Sequence, residues 1–124
     1  MKKKAIDLAK KLVKTRQNYT CEKCGKSRTA SGLQMHGSHI IPVTYAKTAA
    51  DPENILCLCS SCHKMARDSW HEDPVANGRW FDEKWPGRYD ALREEATTYS
   101  QNPFPKLDWV QIHQELEEKY ELLK

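Results

Sequence analysis

The chain has no run of eighteen or more apolar residues, so it contains no stretch that reads as a membrane-spanning helix. Its first residues, MKKKAIDLAKKLVKTR, lack the unbroken apolar segment and the small-residue cleavage site of a secretory signal, and a cytoplasmic protein is expected. Internal repeats and low-complexity tracts are also missing, and 124 residues suit one domain with a modest core. An even cysteine count is absent as well. Five cysteines cannot close into a disulfide framework, and four of them stand as two C-x-x-C pairs. That pattern favours metal binding in a reducing compartment.

The net charge of +3 is unevenly spread. Residues 1–48 hold eleven Lys/Arg against two Asp/Glu, and residues 49–124 hold nine against fifteen. A basic front half attracts a polyanion, of which nucleic acid is the commonest. Lys2, Lys3, Lys4, Lys10, Lys11 and Lys14 are the candidate phosphate contacts. The plain alternative is a solvated lysine-rich helix without a partner.

Ile6, Ala9, Leu12 and Val13 recur at helical spacing and predict an amphipathic helix over residues 1–18. CEKCGKSRTASG then reads as a knuckle and a polar loop. LQMHGSHII, Leu33 to Ile41, predicts a strand that Gly37 bends and Pro42 ends. A loop with a turn at Asp51-Pro52 leads to the short strand ILCL, and a helix is expected to start near Ser60. Residues 71–124 read as a helical extension, broken at Pro74, Pro86, Pro103 and Pro105. Its last helix carries Trp109, Ile112, Leu116, Tyr120 and Leu123 on one stripe, for the core or a second subunit. Asp108 and Gln111 stand as a capping box.

Cys21-x-x-Cys24 and Cys59-x-x-Cys62 are separated by 34 intervening residues and together offer the four thiolates of a closed tetrahedral Zn²⁺ site. Such an ion would staple the ends of the insert between the pairs. Cys57, between Leu56 and Leu58, reads as a small buried hydrophobe, with a C-x-C ligand pair as the alternative. His63 can also be read as a fourth zinc ligand in place of a cysteine. Taken alone, His39 reads as a core histidine and Asn54 as a turn residue.

Taken together, the order GSHIIP, then NILCLCSSCH, resembles the HNH endonucleases over Cys21 to about Arg67. The resemblance implies an α+β, ββα-metal (HNH) core over residues 19–70, stapled by the four-cysteine zinc and flanked by N- and C-terminal helices. It implies His39 as general base, Asn54 as its orienting residue, and His63 as ligand of a catalytic divalent ion (Mg²⁺, Mn²⁺, Ni²⁺ or Zn²⁺). Many relatives carry Asp or His just before the base; here Ser38 stands there, a poor ligand that is kept as a tentative one for the catalytic ion. His36, two positions earlier, is expected as the substitute if Gly37 bends the strand, or else as a phosphate contact. Arg67, one turn after His63, reads as a phosphate contact or a solvated arginine.

The aromatic segment WHEDPVANGRWFDEKWPGRYDAL is similar in flavour to phage recombination endonucleases of the NinG/Rap kind. Trp70, Trp80, Phe81, Trp85 and Tyr89 are expected in the core more than on a base-stacking surface. The expected function is metal-dependent hydrolysis of DNA phosphodiesters. Phage replication, recombination or packaging proteins, a second copy of the chain and a host-cell cytoplasm are the implied context. The rivals are a nuclease selective for branched DNA and a zinc-stapled DNA-binding module without catalysis.

Overall fold

The computed structural model describes residues 1–27, 34–65, 67, 69–98 and 107–123. Helix α1 (Lys2–Arg16) buries Ala5, Ala9, Leu12 and Val13 along one face and leaves most of its lysines toward solvent. Lys14 and Arg16 in its last turn complement the helix dipole. Asn18 and Tyr19 then adopt left-handed φ values of 53° and 52°, which turns the chain into the first cysteine knuckle.

Strands β1 (Met35–His39) and β2 (Ile55–Cys59) form an antiparallel pair, with Met35 opposite Cys59, Gly37 opposite Cys57 and His39 opposite Ile55. Every residue of β2 is buried, which explains its unbroken apolar run. The connection, expected as a loop, holds the short helix α2 (Ala46–Ala49) and a 3₁₀ turn at Pro52–Asn54. Asp51 starts that turn by accepting the Glu53 N–H at 2.9 Å, as the Asp-Pro pair suggests.

After β2 the structure departs from the expected helix. Ser61–Met65 forms one wide, π-type turn. The chain then doubles back, with the Trp70 N–H donating to the Cys62 carbonyl at 2.7 Å and the His71 N–H to the His63 carbonyl at 3.0 Å.

Pro74 opens a helix and does not break one. It sits in the first turn of α3 (Pro74–Lys84), where a missing N–H costs nothing, behind Asp73, whose carboxylate accepts from the Ala76 N–H. Gly87, at φ 82°, turns the chain into α4 (Arg88–Thr97). Pro103 and Pro105 lie outside the described residues. Helix α5 (Trp109–Glu121) packs along α1 and buries Leu116, with Trp109, Ile112 and Tyr120 half-buried; Leu123 is 40 % exposed. Half of its capping box forms. Asp108 accepts the Gln111 N–H at 3.1 Å, while the Gln111 side chain turns to Glu115.

One core joins α1, both strands, Phe81 and Leu116, and a smaller cluster gathers Ile41, Leu92 and Ala96. Phe81 is buried, and Trp70, Trp80 and Trp85 are half-buried around it in edge-to-face and tilted contacts. Tyr89 remains exposed. Among the described residues, no helix is long and apolar enough to cross a membrane.

Candidate metal centre and histidine cleft

The first knuckle is a tight turn closed by the Gly25 N–H on the Cys21 carbonyl, with Gly25 at φ 78°, a value a side chain would strain. The Cys24 N–H points at the Cys21 sulfur at 3.5 Å, and the Cys21 N–H bonds the Lys26 carbonyl. The second knuckle joins the end of β2 to the wide turn, so Cys59 and Cys62 come from two elements. The Glu22 N–H donates to the Cys57 carbonyl at 2.8 Å and pins the first knuckle to β2.

The four sulfurs of Cys21, Cys24, Cys59 and Cys62 all lie within 4.8 Å of one another, with Cys24 and Cys59 at 3.7 Å. Four thiolates about 2.3 Å from a tetrahedral Zn²⁺ stand about 3.8 Å apart, so the set fits that ion. Among the described residues this is the group of ligand atoms that converges on one point.

Charge supports the same reading. Burial resists ionisation of Cys21, but N–H groups of Cys24, Cys59 and Lys23 outweigh it and lower the thiol to about 7. Burial, together with the neighbouring thiols, pushes Cys24 and Cys62 up. One thiolate is thus stabilised by the backbone, and ionising Cys24 and Cys62 calls for a cation. Cys57 is different: fully buried, near the Glu22 carboxylate that accepts its own N–H, its thiol is pushed up to about 12. It is an inert packing residue.

Asn54 is buried and fully used. Its amide donates to the carbonyls of Ile41 and Thr48, each at 3.0 Å, and its oxygen accepts the Ile41 N–H at 2.7 Å. These bonds fasten the end of β1 to α2. His39 bonds the next carbonyl along, that of Ala49, through Nε2 at 2.7 Å. A carbonyl only accepts, so Nε2 carries the proton and the lone pair of a neutral His39 is on Nδ1. Burial holds the His39 pKa below its usual value; Lys10 adds to this and the Ala49 bond opposes it.

His39 opens onto a cleft of about 490 Å³ that Lys10, Gly37, His63, Lys64 and His71 also line. Lys10 reaches it from α1 because residue 37 has no side chain: a Cβ there would come within 2.6 Å of the Lys10 Cγ. Of the predicted phosphate contacts, Lys10 is the one in the cleft. Arg67 is exposed in the turn beyond His63.

His63, 9 % exposed, sits between two other histidines. Its Nδ1 is 2.8 Å from Nδ1 of His36, and its Nε2 is 3.0 Å from Nε2 of His71. Burial first, then the charges of His71, His36 and the nearby lysines, lower its pKa to about 4.

Ser38 needs a correction as a tentative ion ligand. It is 1 % exposed, stands opposite Leu56 in the buried ladder, does not line the cleft, and its Oγ has no hydrogen-bond partner. His71 was not anticipated. It lies eight residues past His63, which on a continuous helix would be about 12 Å along the axis. No sequence signal announces that the chain doubles back there.

No curated protein and no solved structure matches the chain. Residues 21–69 match the family model described as HNH endonuclease, a span that runs from the first cysteine of the cluster past the wide turn. With four cysteines positioned for a metal beside a small antiparallel strand pair, this segment is a domain of the HNH endonuclease family.

Proposed function

We propose that the chain hydrolyses DNA phosphodiesters with His39 as general base. The observation that carries this is the Nε2–H bond from His39 to the Ala49 carbonyl. It leaves Nδ1 free to take a proton from water, on an imidazole kept neutral near pH 7. Asn54 acts through the backbone: by holding Ile41 and Thr48 it keeps the Ala49 carbonyl in line with the ring. Lys10 and Lys64 supply positive charge where a phosphate would enter, and the other lysines of α1 add attraction that salt weakens. His63 would hold a divalent ion, whose contribution is to stabilise the departing 3′ oxygen. Zn²⁺ at the four cysteines would be structural, and five cysteines outside any disulfide suit a reducing compartment such as the cytoplasm.

The test is nicking of supercoiled plasmid by the zinc-loaded protein supplied with single divalent ions. His39→Ala should lower the rate about 10²–10⁴-fold. Because protonation removes the base, the wild-type rate should hold on acidification from pH 8 and fall only below the ordinary histidine value of 6.5. An unimpaired His39→Ala variant would sink the proposal.

One observation favours a second reading, a DNA-binding module without catalysis: among the described residues, no carboxylate lines the cleft. DNA binding with no cleavage in any ion would select it.

A further inference from the structure

We infer that His71, from outside the matched motif, takes the ligand position that residue 38 leaves vacant, while His36 holds His63 in place from behind. This rests on the proposed reading of His63 as an ion ligand.

The two nitrogens of His63 face different neighbours: Nδ1 meets His36 and Nε2 meets His71. A single ion bonds one nitrogen of an imidazole, so His36 and His71 cannot both be co-ligands with His63. The cleft decides between them. His71 and His63 line it together with His39, and His36 does not. An ion available to a phosphate in the cleft therefore belongs on the Nε2 side. There the two Nε2 atoms are 3.0 Å apart. Two nitrogens each about 2.1 Å from one ion stand about 3.0 Å apart at a right angle and about 3.4 Å apart at a tetrahedral one. His63 Nδ1–H then donates to Nδ1 of His36, the outer bond that typically fixes the tautomer and ring orientation of a ligating histidine.

The position of His71 is built by the chain. Its own N–H bonds the His63 carbonyl, and the preceding Trp70 is wedged against Trp80 and Phe81. On the far side Asn77, buried, donates to the carbonyls of Ser69 and Asp73 and fixes the ends of the turn.

The donor set has a chemical consequence. Two imidazoles with no carboxylate suit Ni²⁺, Co²⁺ or Zn²⁺ and are a poor cradle for Mg²⁺.

The test uses the zinc-loaded full chain without DNA. Ni²⁺ is titrated calorimetrically, and Co²⁺ is added to read the paramagnetically shifted ring N–H protons of ligating histidines. Wild type should show one added ion and two shifted N–H signals. His71→Gln should weaken Ni²⁺ binding at least about 100-fold and remove one signal while keeping its zinc and melting temperature. His36→Gln should weaken binding about 10–100-fold, with both signals retained. His71→Asp should recover ion binding with its preference moved toward Mn²⁺. Unchanged Ni²⁺ affinity in His71→Gln, or loss of a shifted signal in His36→Gln instead, would overturn the assignment. Should the ion bind as described and plasmid remain uncut, the ligand assignment stands and the nuclease reading fails.

Discussion

The thiols of Cys21, Cys24, Cys59 and Cys62 gather within 4.8 Å of one another, whereas the rings of His36, His63 and His71 are strung in a row with His63 in the middle. The two groups meet at consecutive residues, Cys62 and His63, on one wide turn. The first group is convergent and can enclose an ion with its own atoms, as a structural site does. The second is divergent and opens on a cleft through His63 and His71, and an ion held there as proposed would keep positions for water and a substrate oxygen. The difference teaches how one turn serves two purposes: it delivers Cys62 to the closed site, while the return of the chain through Trp70 and His71 builds the open one.

The sharpest way to break that comparison is Cys59→Ser. It removes one of four convergent donors, and structural zinc contributes on the order of 10 kcal/mol of folding free energy in small domains. Loss of the metal and of near-ultraviolet dichroism should follow together; a folded, metal-bearing Cys59→Ser protein would contradict a closed site.

Gly37→Ala probes the cleft wall. The new Cβ would meet Lys10 at Cγ, 2.6 Å away, and approach its Cα at 3.2 Å, so α1 must move outward. Overpacking of this kind costs about 1–3 kcal/mol. Adding Lys10→Ala should relieve part of it, as a double-mutant cycle in thermal melts would show. If the two effects simply add, Lys10 is not held by that contact.

The smallest effect belongs to Cys57→Ala. The thiol is buried but outside the convergent set. Stability should fall by about 1 kcal/mol in denaturant melts with the metal stoichiometry intact. A drop in bound metal would instead place Cys57 in the ligand set.

How far these features were legible in the sequence depended on whether they are local. The knuckles could be read because a C-x-x-C turn is fixed by four residues, and α1 and α5 because their apolar stripes repeat every turn. Asn54 and His39 were recognisable as a pair by resemblance, but the link between them, through Thr48 and Ala49, depends on a short helix whose sequence is too brief to announce itself. Ser38 was misread. Period-two alternation says which residues share a face, yet not that a strand covered on both sides buries Ser38 opposite Leu56. His71 was missed for a tertiary reason. Extending a helix from Ser61 carries residue 71 away from His63, and only the backbone bonds at Trp70 and His71 reverse it.

With both ions bound as proposed, the shared turn would also make the two sites thermodynamically dependent. Only molecules whose turn is ordered can present His63 to the cleft, so the apparent Kd for an ion there equals the intrinsic value divided by the ordered fraction. A preparation about half loaded at the cysteines would show competent cleft sites in only about half of its molecules. By reciprocity, an ion seated in the cleft must tighten the hold of the cysteines on theirs. Withholding zinc from the thiolate site would therefore silence the cleft even with the cleft's own ion in supply.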